Sequence, residues 1–247
     1  MKIAQGPLSR RHFMALAGGA TVTLIATDSL PAFGATSTST RIGVIGSGKV
    51  GSAIGGTWVK RGHEVMFSSR NLENDKALAA KLGAKARAGT PKEAAAFGDV
   101  ILVAVPYRAL PDLGKSLRSE LDGKVVIDAC NPFPGRDGDI ANWAREKGAG
   151  FASAELLPGA RIVRAFNAIG AARMGSAHET PGKVGMPIAG DDQEAIDIAS
   201  RLIRDAGYEP VLVGGLAMGR YLMPGTPLAG EHSPEEIRKI AAEIKAE

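Results

Sequence analysis

The stretch from Arg41 to Phe67 constrains this chain more than any other. Arg41-Ile42-Gly43-Val44-Ile45 is a short β-branched run of the kind found in a buried parallel strand. Gly46-Ser47-Gly48-Lys49-Val50-Gly51 follows without a gap. Val50, Ile54 and Trp58 then recur at helical spacing, Gly62 closes the helix, and His63-Glu64-Val65-Met66-Phe67 resumes a strand. A lone G-x-G-x-x-G says little, but between a strand and a helix each glycine has a task. Gly46 permits the tight turn, Gly48 lets the backbone approach a pyrophosphate, and Gly51 lets the helix pack closely on the sheet. The phosphate then meets free N–H groups at the positive helix end. A dinucleotide site formed by Gly46, Ser47, Gly48, Lys49, Val50 and Gly51 is the expectation, with Lys49 either adding charge or solvated at the surface.

The end of the second strand selects the cofactor. An acid there would bond the ribose hydroxyls of NAD. This chain has Ser68-Ser69-Arg70-Asn71 instead. A serine hydroxyl and a guanidinium suit a ribose phosphate, the latter through charge-assisted bonds. Ser69 and Arg70 therefore point to NADP(H), with a surface arginine capping the next helix as the plainer alternative for Arg70.

Further along, strands and helices alternate. Helices are expected over residues 74–82, from Thr90-Pro91-Lys92-Glu93, over 110–121, from Asp191-Asp192 through Ala206, and from Ser233-Pro234-Glu235-Glu236. Strands are expected over 84–88, 100–105, 124–129, 161–165, 186–189 and 209–213. The pattern predicts an α/β fold, a doubly wound, mostly parallel sheet of the NAD(P)-binding Rossmann type, with a short C-terminal helical extension. Its loops after the first, fourth and fifth strands open by the topological switch point. Pro106 there either presents an apolar wall to a ring or merely ends a strand, and the same holds for Pro132.

Composition bears on partners and location. The 247 residues hold 30 Lys+Arg and 26 Asp+Glu, a net +4. Lys2, Arg10, Arg11 and Asp28 contribute half of that excess within residues 1–35, so the remainder gives no case for nucleic acid. Ser9-Arg10-Arg11-His12-Phe13-Met14, the uncharged stretch His12–Thr27 and Pro31-Ala32-Phe33-Gly34-Ala35 resemble a twin-arginine export signal. The uncharged stretch is shorter and more diluted by glycine than a membrane span, which needs about 20 apolar residues. Such a signal implies the twin-arginine translocase as a partner and a periplasmic or other extracytoplasmic location. The expected division is signal 1–35, flexible leader 36–40, NADP-binding domain 41–224 and extension 225–247. One cysteine, Cys130, excludes an internal disulfide and a cysteine-cluster metal site, and no metal is expected. Cys130 reads as a small core residue rather than a redox thiol, His63 as a turn or partner-binding histidine, and Asp191 and Asp192 as helix caps. His178 and His232 fall in polar loops.

With these motifs in place, residues 41–223 resemble the NADPH-dependent oxidoreductases of the coenzyme F420 (deazaflavin)-dependent NADP reductase type. The resemblance is carried by Ile45 to Gly51, Arg61-Gly62-His63-Glu64-Val65, Ser68-Ser69-Arg70, Ala104-Val105-Pro106, Ile127-Asp128-Ala129-Cys130-Asn131-Pro132, Leu157-Pro158-Gly159-Ala160, Ala165-Phe166-Asn167, Ala189-Gly190-Asp191-Asp192 and Gly214-Gly215-Leu216-Ala217-Met218-Gly219-Arg220. The domain also resembles the reductase part of transmembrane ferric reductases. The family resemblance implies that Ser69 and Arg70 hold the ribose phosphate, and that Val105, Pro106, Asn131 and Pro132 border the nicotinamide. It implies hydride transfer between NADP(H) and coenzyme F420 or a flavin, a reaction that needs alignment more than an acid or base. Two departures lie on the acceptor side. Met223 stands where the family tends to carry Glu, and residues 225–247 are polar where the family often has an apolar helix closing the second substrate site or a homodimer. Reduction of a small carbonyl or imine, and a non-catalytic NADP-binding redox sensor of the cell envelope, are the other readings. An open, ring-sized slot around Pro106, Asn131, Asn167 and Arg220 would favour an enzyme.

Overall fold

A computed structural model describes residues 39–246. The export signal expected over 1–35 lies outside the described residues. Among the described residues eight strands form one sheet: β1 (Arg41–Ile45), β2 (Glu64–Ser68), β3 (Ala86–Ala88), β4 (Val100–Val103), β5 (Val125–Asp128), β6 (Arg161–Arg164), β7 (Gly185–Gly190) and β8 (Glu209–Gly214). Their spatial order is β3-β2-β1-β4-β5-β6-β7-β8. The order reverses between β1 and β4, which places the topological switch point where the glycine motif predicts it. Every neighbouring pair is parallel except β6 and β7.

The apolar strand runs are buried on both faces because helices cover both. On β4, Val100 and Leu102 join the cluster containing Ile54, Trp58 and Phe67, while Ile101 and Val103 join the opposite one with Leu110 and Leu121. This is the period-two alternation of a strand with two dry sides. Helix α1 (Lys49–Lys60) contributes Ile54 and Trp58, and Trp58 is pinned by its indole N–H donating to the Leu202 carbonyl at 2.7 Å. Helix α2 (Leu72–Leu82) starts two residues earlier than its periodicity suggests, because the Asn71 side chain accepts from the Asn74 N–H. Helix α3 (Pro91–Phe97) carries the full capping box of Thr90 and Glu93.

The helix expected over 110–121 divides into α4 (Leu110–Ser116) and α5 (Arg118–Leu121), because Leu117 leaves helical geometry at φ −114°, ψ 14°. Three short helices that periodicity does not announce, α6 (Pro134–Asp137), α7 (Asp139–Lys147) and α8 (Ala149–Leu156), are separated by Gly138 and Gly148, both at positive φ. Between β6 and β7 the chain makes only α9 (Ala171–Met174) and a short 3₁₀ turn. With no crossover helix it returns antiparallel, so residues 165–184 stay at the carboxyl edge of the parallel strands. Helix α10 (Gln193–Asp205) precedes β8, and α11 (Pro234–Ala246) closes the chain. Ile237 and Ala241 of α11 pack on Ala189, Val211 and Val213, within the same compact unit as the sheet.

Candidate active site

The turn from β1 into α1 is built as the motif requires, and its three glycines differ in kind. A Cβ on Gly46 would lie 2.4 Å from the Ala104 carbonyl oxygen, at φ +101°, and one on Gly51 would lie 2.1 Å from the Gly46 oxygen. These two are demanded by the protein's own packing. Gly48 is not: a Cβ there would meet nothing within 4 Å, and its φ of −66° suits any residue. Among the described residues none beyond its chain neighbours fills the space in front of Gly48. The N-terminus of α1 faces that space without a side-chain cap and without an acid in its first turn, an arrangement complementary to an anion. The residues present thus fit the pyrophosphate of a dinucleotide.

Two cavities flank this turn and share one wall, Ala104-Val105-Pro106, at the end of β4. The first, about 310 Å³, is lined by Gly46, Gly48, Ser69, Arg70 and Arg108 among others. This is the side on which the sequence expects the adenosine half. The second, about 330 Å³, is lined by Lys49, Val50, Asn131, Phe133, Asn167 and Met174 among others. Its lining also includes Pro224, so the segment after β8 reaches the ring side. The structure therefore brings Lys49, Val50, Val105, Pro106 and Asn131 together around one space, and Gly46, Gly48, Ser69 and Arg70 around the other.

Several expected residues stand elsewhere. Pro132 is buried and lines neither cavity. Arg220 lies against Gly148, 3.0 Å from where a Cβ would sit, and donates to the Lys147 carbonyl; it takes no part in the ring-side cavity. His63 is buried at 1% exposure, accepts the Thr40 N–H at Nδ1 and pairs through Nε2 with Asp205, so it is a packing histidine and not a partner-binding one. Cys130 is buried beneath the site, where desolvation pushes its thiol pKa well up, as befits a core residue. Asp192 caps α10 through the Ala195 N–H, and Asp191 accepts the Leu216 N–H.

Other features were not legible in the residue order. The acid missing from Ser68–Asn71 is supplied by α2: Asp75, fully buried, accepts hydrogen bonds from the Ser47 and Ser69 hydroxyls, the latter at 2.8 Å. Ser69 also accepts the Asn71 N–H at 3.1 Å. Its proton is thus committed inward, while Arg70, exposed, lines the same cavity as Ser69.

Phe133 stands at the rim of the ring-side cavity, 39% exposed, with the Arg136 guanidinium 5.0 Å from its ring centroid. Asp137 holds that loop by accepting the Phe133 N–H and the Arg136 side chain. Burial raises the Asp137 pKa, but these bonds and that from the Arg108 N–H outweigh it, and the net shift is downward. A Pro-Phe-Pro-Gly run at a strand end is the only sequence signal that could have marked Phe133.

Beneath the cavity, the buried Arg164 pairs with Asp128 and donates to the Cys130 carbonyl and the Asn131 side-chain oxygen. Asn131 in turn donates to the Asn167 carbonyl at 2.8 Å. Two strand ends are thereby locked together below the cavity. Phe166, just before Asn167, holds φ at +64°, a strained value for a non-glycine residue, and is fixed edge-on between Trp58 and Tyr208.

Chemically, the ring-side cavity has a notable makeup. Among the described residues, Lys49 and Arg136 are the ionisable ones on its lining, and no carboxylate, imidazole, phenol or thiol stands there. Among the described residues no group of three or more His, Cys, Asp or Glu side chains could hold a metal, and no helix is long and apolar enough to cross a membrane.

Comparison with known proteins agrees with this geometry. Residues 41–132 match the family described as NADP oxidoreductase, coenzyme F420-dependent. The chain is 30% identical over 201 residues to the F420-dependent NADP reductase of Methanothermobacter marburgensis, covering 74% of this chain and 87% of that one. It is 31% identical over 180 residues to the metalloreductase STEAP3 of Rattus norvegicus, covering 73% of this chain but only 35% of that protein. A crystal structure of a hypothetical protein from Sinorhizobium meliloti superposes with a TM-score of 0.67 at 28% identity, over 80% of this chain and 96% of the other.

Proposed function

The chain belongs to the coenzyme F420-dependent NADP oxidoreductase family, and we propose that it passes hydride between NADP(H) and a flavin-like or deazaflavin acceptor seated in the cavity beside Phe133. It is an NADP-dependent oxidoreductase; the acceptor is the step proposed. The observation that carries it is the ring-side cavity, about 330 Å³, open, and without a proton donor of the carboxyl, imidazole, phenol or thiol kind. Reducing a carbonyl leaves charge on one oxygen and calls for a positioned proton donor, and the Lys49 ammonium is the one this lining offers. A fused ring system spreads that charge and needs alignment and exclusion of water.

NADPH would supply the hydride. The chain's own part is positional. Gly48 and the α1 N-terminus take the pyrophosphate, Arg70 takes the ribose phosphate, and Val105-Pro106 form a rigid apolar wall between the two cavities. Asn131, set by Arg164 from below, and Asn167 form the floor. Phe133 offers a face on which a planar acceptor stacks.

Following NADPH absorbance with a deazaflavin, FMN, ferric chelates and a carbonyl panel tests this reading. Oxidation by the ring acceptors is expected, with Phe133→Ala raising their KM while NADPH affinity stays the same. Turnover with carbonyls alone would overturn it.

The N-terminal arginines support a second proposal, that the protein leaves the cytoplasm through the twin-arginine translocase already folded around its cofactor. Replacing Arg10 and Arg11 by lysine should retain it in the cytoplasm, and unchanged export would refute the assignment.

A further inference from the structure

The buried carboxylate of Asp75 has no role in the hydride reaction, yet it sits directly behind the ribose pocket. A fully buried acid is costly unless its oxygens are filled. Here both donors are neutral hydroxyls, one from the glycine turn (Ser47) and one from the ribose loop (Ser69). Hydroxyl proton positions follow from this. Ser69 has a single proton and two acceptors in reach, the Asp75 oxygen at 2.8 Å and the Asn71 carbonyl at 3.2 Å. The bond to the carboxylate is the shorter and charge-assisted one, so the proton points inward. The Ser69 oxygen, which already accepts the Asn71 N–H at 3.1 Å, then has one acceptor position left for a ligand.

That polarity has a consequence for the ligand. A ribose 2′-hydroxyl carries a proton to donate, whereas a 2′-phosphate is an acceptor and shares the sign of the carboxylate behind the serine. Arg70, beside Ser69 on the same cavity, has the opposite preference. The pocket thus has one wall suited to each ribose.

Building on the NADP reading, we propose that Asp75 is a specificity-determining residue of the cofactor site. Through Ser69 it accepts an unphosphorylated ribose, so the protein binds NADH as well as NADPH. Asp75 acts through the serine and touches neither the reacting ring nor the hydride.

The test is the binding of each cofactor to the full-length protein, measured by titration calorimetry, with thermal melting alongside. Wild type should bind both. In Asp75→Asn the charge is gone and the amide can donate to Ser69, whose proton becomes free for a phosphate. The ratio of the NADH to the NADPH dissociation constant should rise about tenfold, the size of one hydrogen bond. Ser69→Ala cuts the same relay and should shift the ratio in the same direction, and it carries the test if Asp75→Asn fails to melt cooperatively. Equal weakening of both cofactors would reduce Asp75 to a clamp between two loops and overturn the proposal, as would a wild type that binds NADPH but not NADH. A wild type that binds neither would strike the cofactor reading itself, and this inference with it.

Discussion

Gly48 is the position where a single methyl group should separate folding from binding. Gly48→Ala places a Cβ where no described residue beyond its chain neighbours has an atom within 4 Å, at a negative φ. Its effect on stability is confined to the helix N-cap, where alanine is poorer than glycine by roughly 1 kcal/mol or less. For a pyrophosphate the same methyl group is an obstacle, because it occupies the surface the phosphate must approach to reach the N–H groups of α1. Losing one charge-assisted hydrogen bond costs about 1.5–3 kcal/mol. At 1.4 kcal/mol per tenfold this is about a ten- to hundredfold rise in the NADPH dissociation constant.

Gly51→Ala is the control with the opposite signature. Its Cβ would fall 2.1 Å from the Gly46 carbonyl oxygen, so the helix must move off the sheet, and overpacking of this kind costs about 1–3 kcal/mol of stability. Melting curves and calorimetric NADPH titrations on both variants provide the assay. If Gly48→Ala binds NADPH as wild type does, the space before Gly48 is not where the pyrophosphate lies, and the assignment of the whole turn fails.

Three further outcomes follow from the same geometry. Arg70→Ala should weaken NADPH much more than NADH, since the guanidinium faces only the phosphorylated ribose; equal losses in a binding titration would refute the role. Arg164→Met leaves the buried Asp128 carboxylate without its cation and should destabilise the fold by about 3–5 kcal/mol in a denaturant titration. Asp192, bonded to Arg161 and to the α10 N-terminus, has its pKa drawn down to about 2. A carboxylate lowered on folding contributes stability that is full above its unfolded pKa, near 3.9, and is lost as pH falls toward the folded value. The difference in melting temperature between wild type and Asp192→Asn should therefore shrink between pH 4 and pH 2, and a constant difference would contradict the pairing.

Much of the fold and half of the site could be read from the chain alone, and the division has a physical basis. Local chemistry was enough wherever one segment carries its own reason. The β-branched runs, the capping box at Thr90 and the three glycines each encode their geometry within a few residues, so the Rossmann order and the pyrophosphate turn were legible. That Arg70 and Pro106 would stand on one cavity was legible too, since they sit at fixed offsets from strands.

Contacts between distant segments were not. The antiparallel return of β7 depends on the absence of a crossover helix, and it is what keeps Ile169, Gly170, Ala171 and Met174 over the ring-side cavity. Arg220 was expected in that cavity because the family pattern ends there, but packing on Gly148 takes it elsewhere. The acid beside Ser69 is not in the strand-end tetrapeptide at all. It comes from the neighbouring helix, and only the folded chain brings Asp75 between Ser47 and Ser69. Sequence alone thus determined which backbone would cradle a dinucleotide, because that is a property of glycines a few residues apart. Which way the Ser47 and Ser69 hydroxyl protons point, and which side chains line the second cavity, was decided only by tertiary structure, because hydrogen-bond direction and cavity shape belong to groups that meet in space.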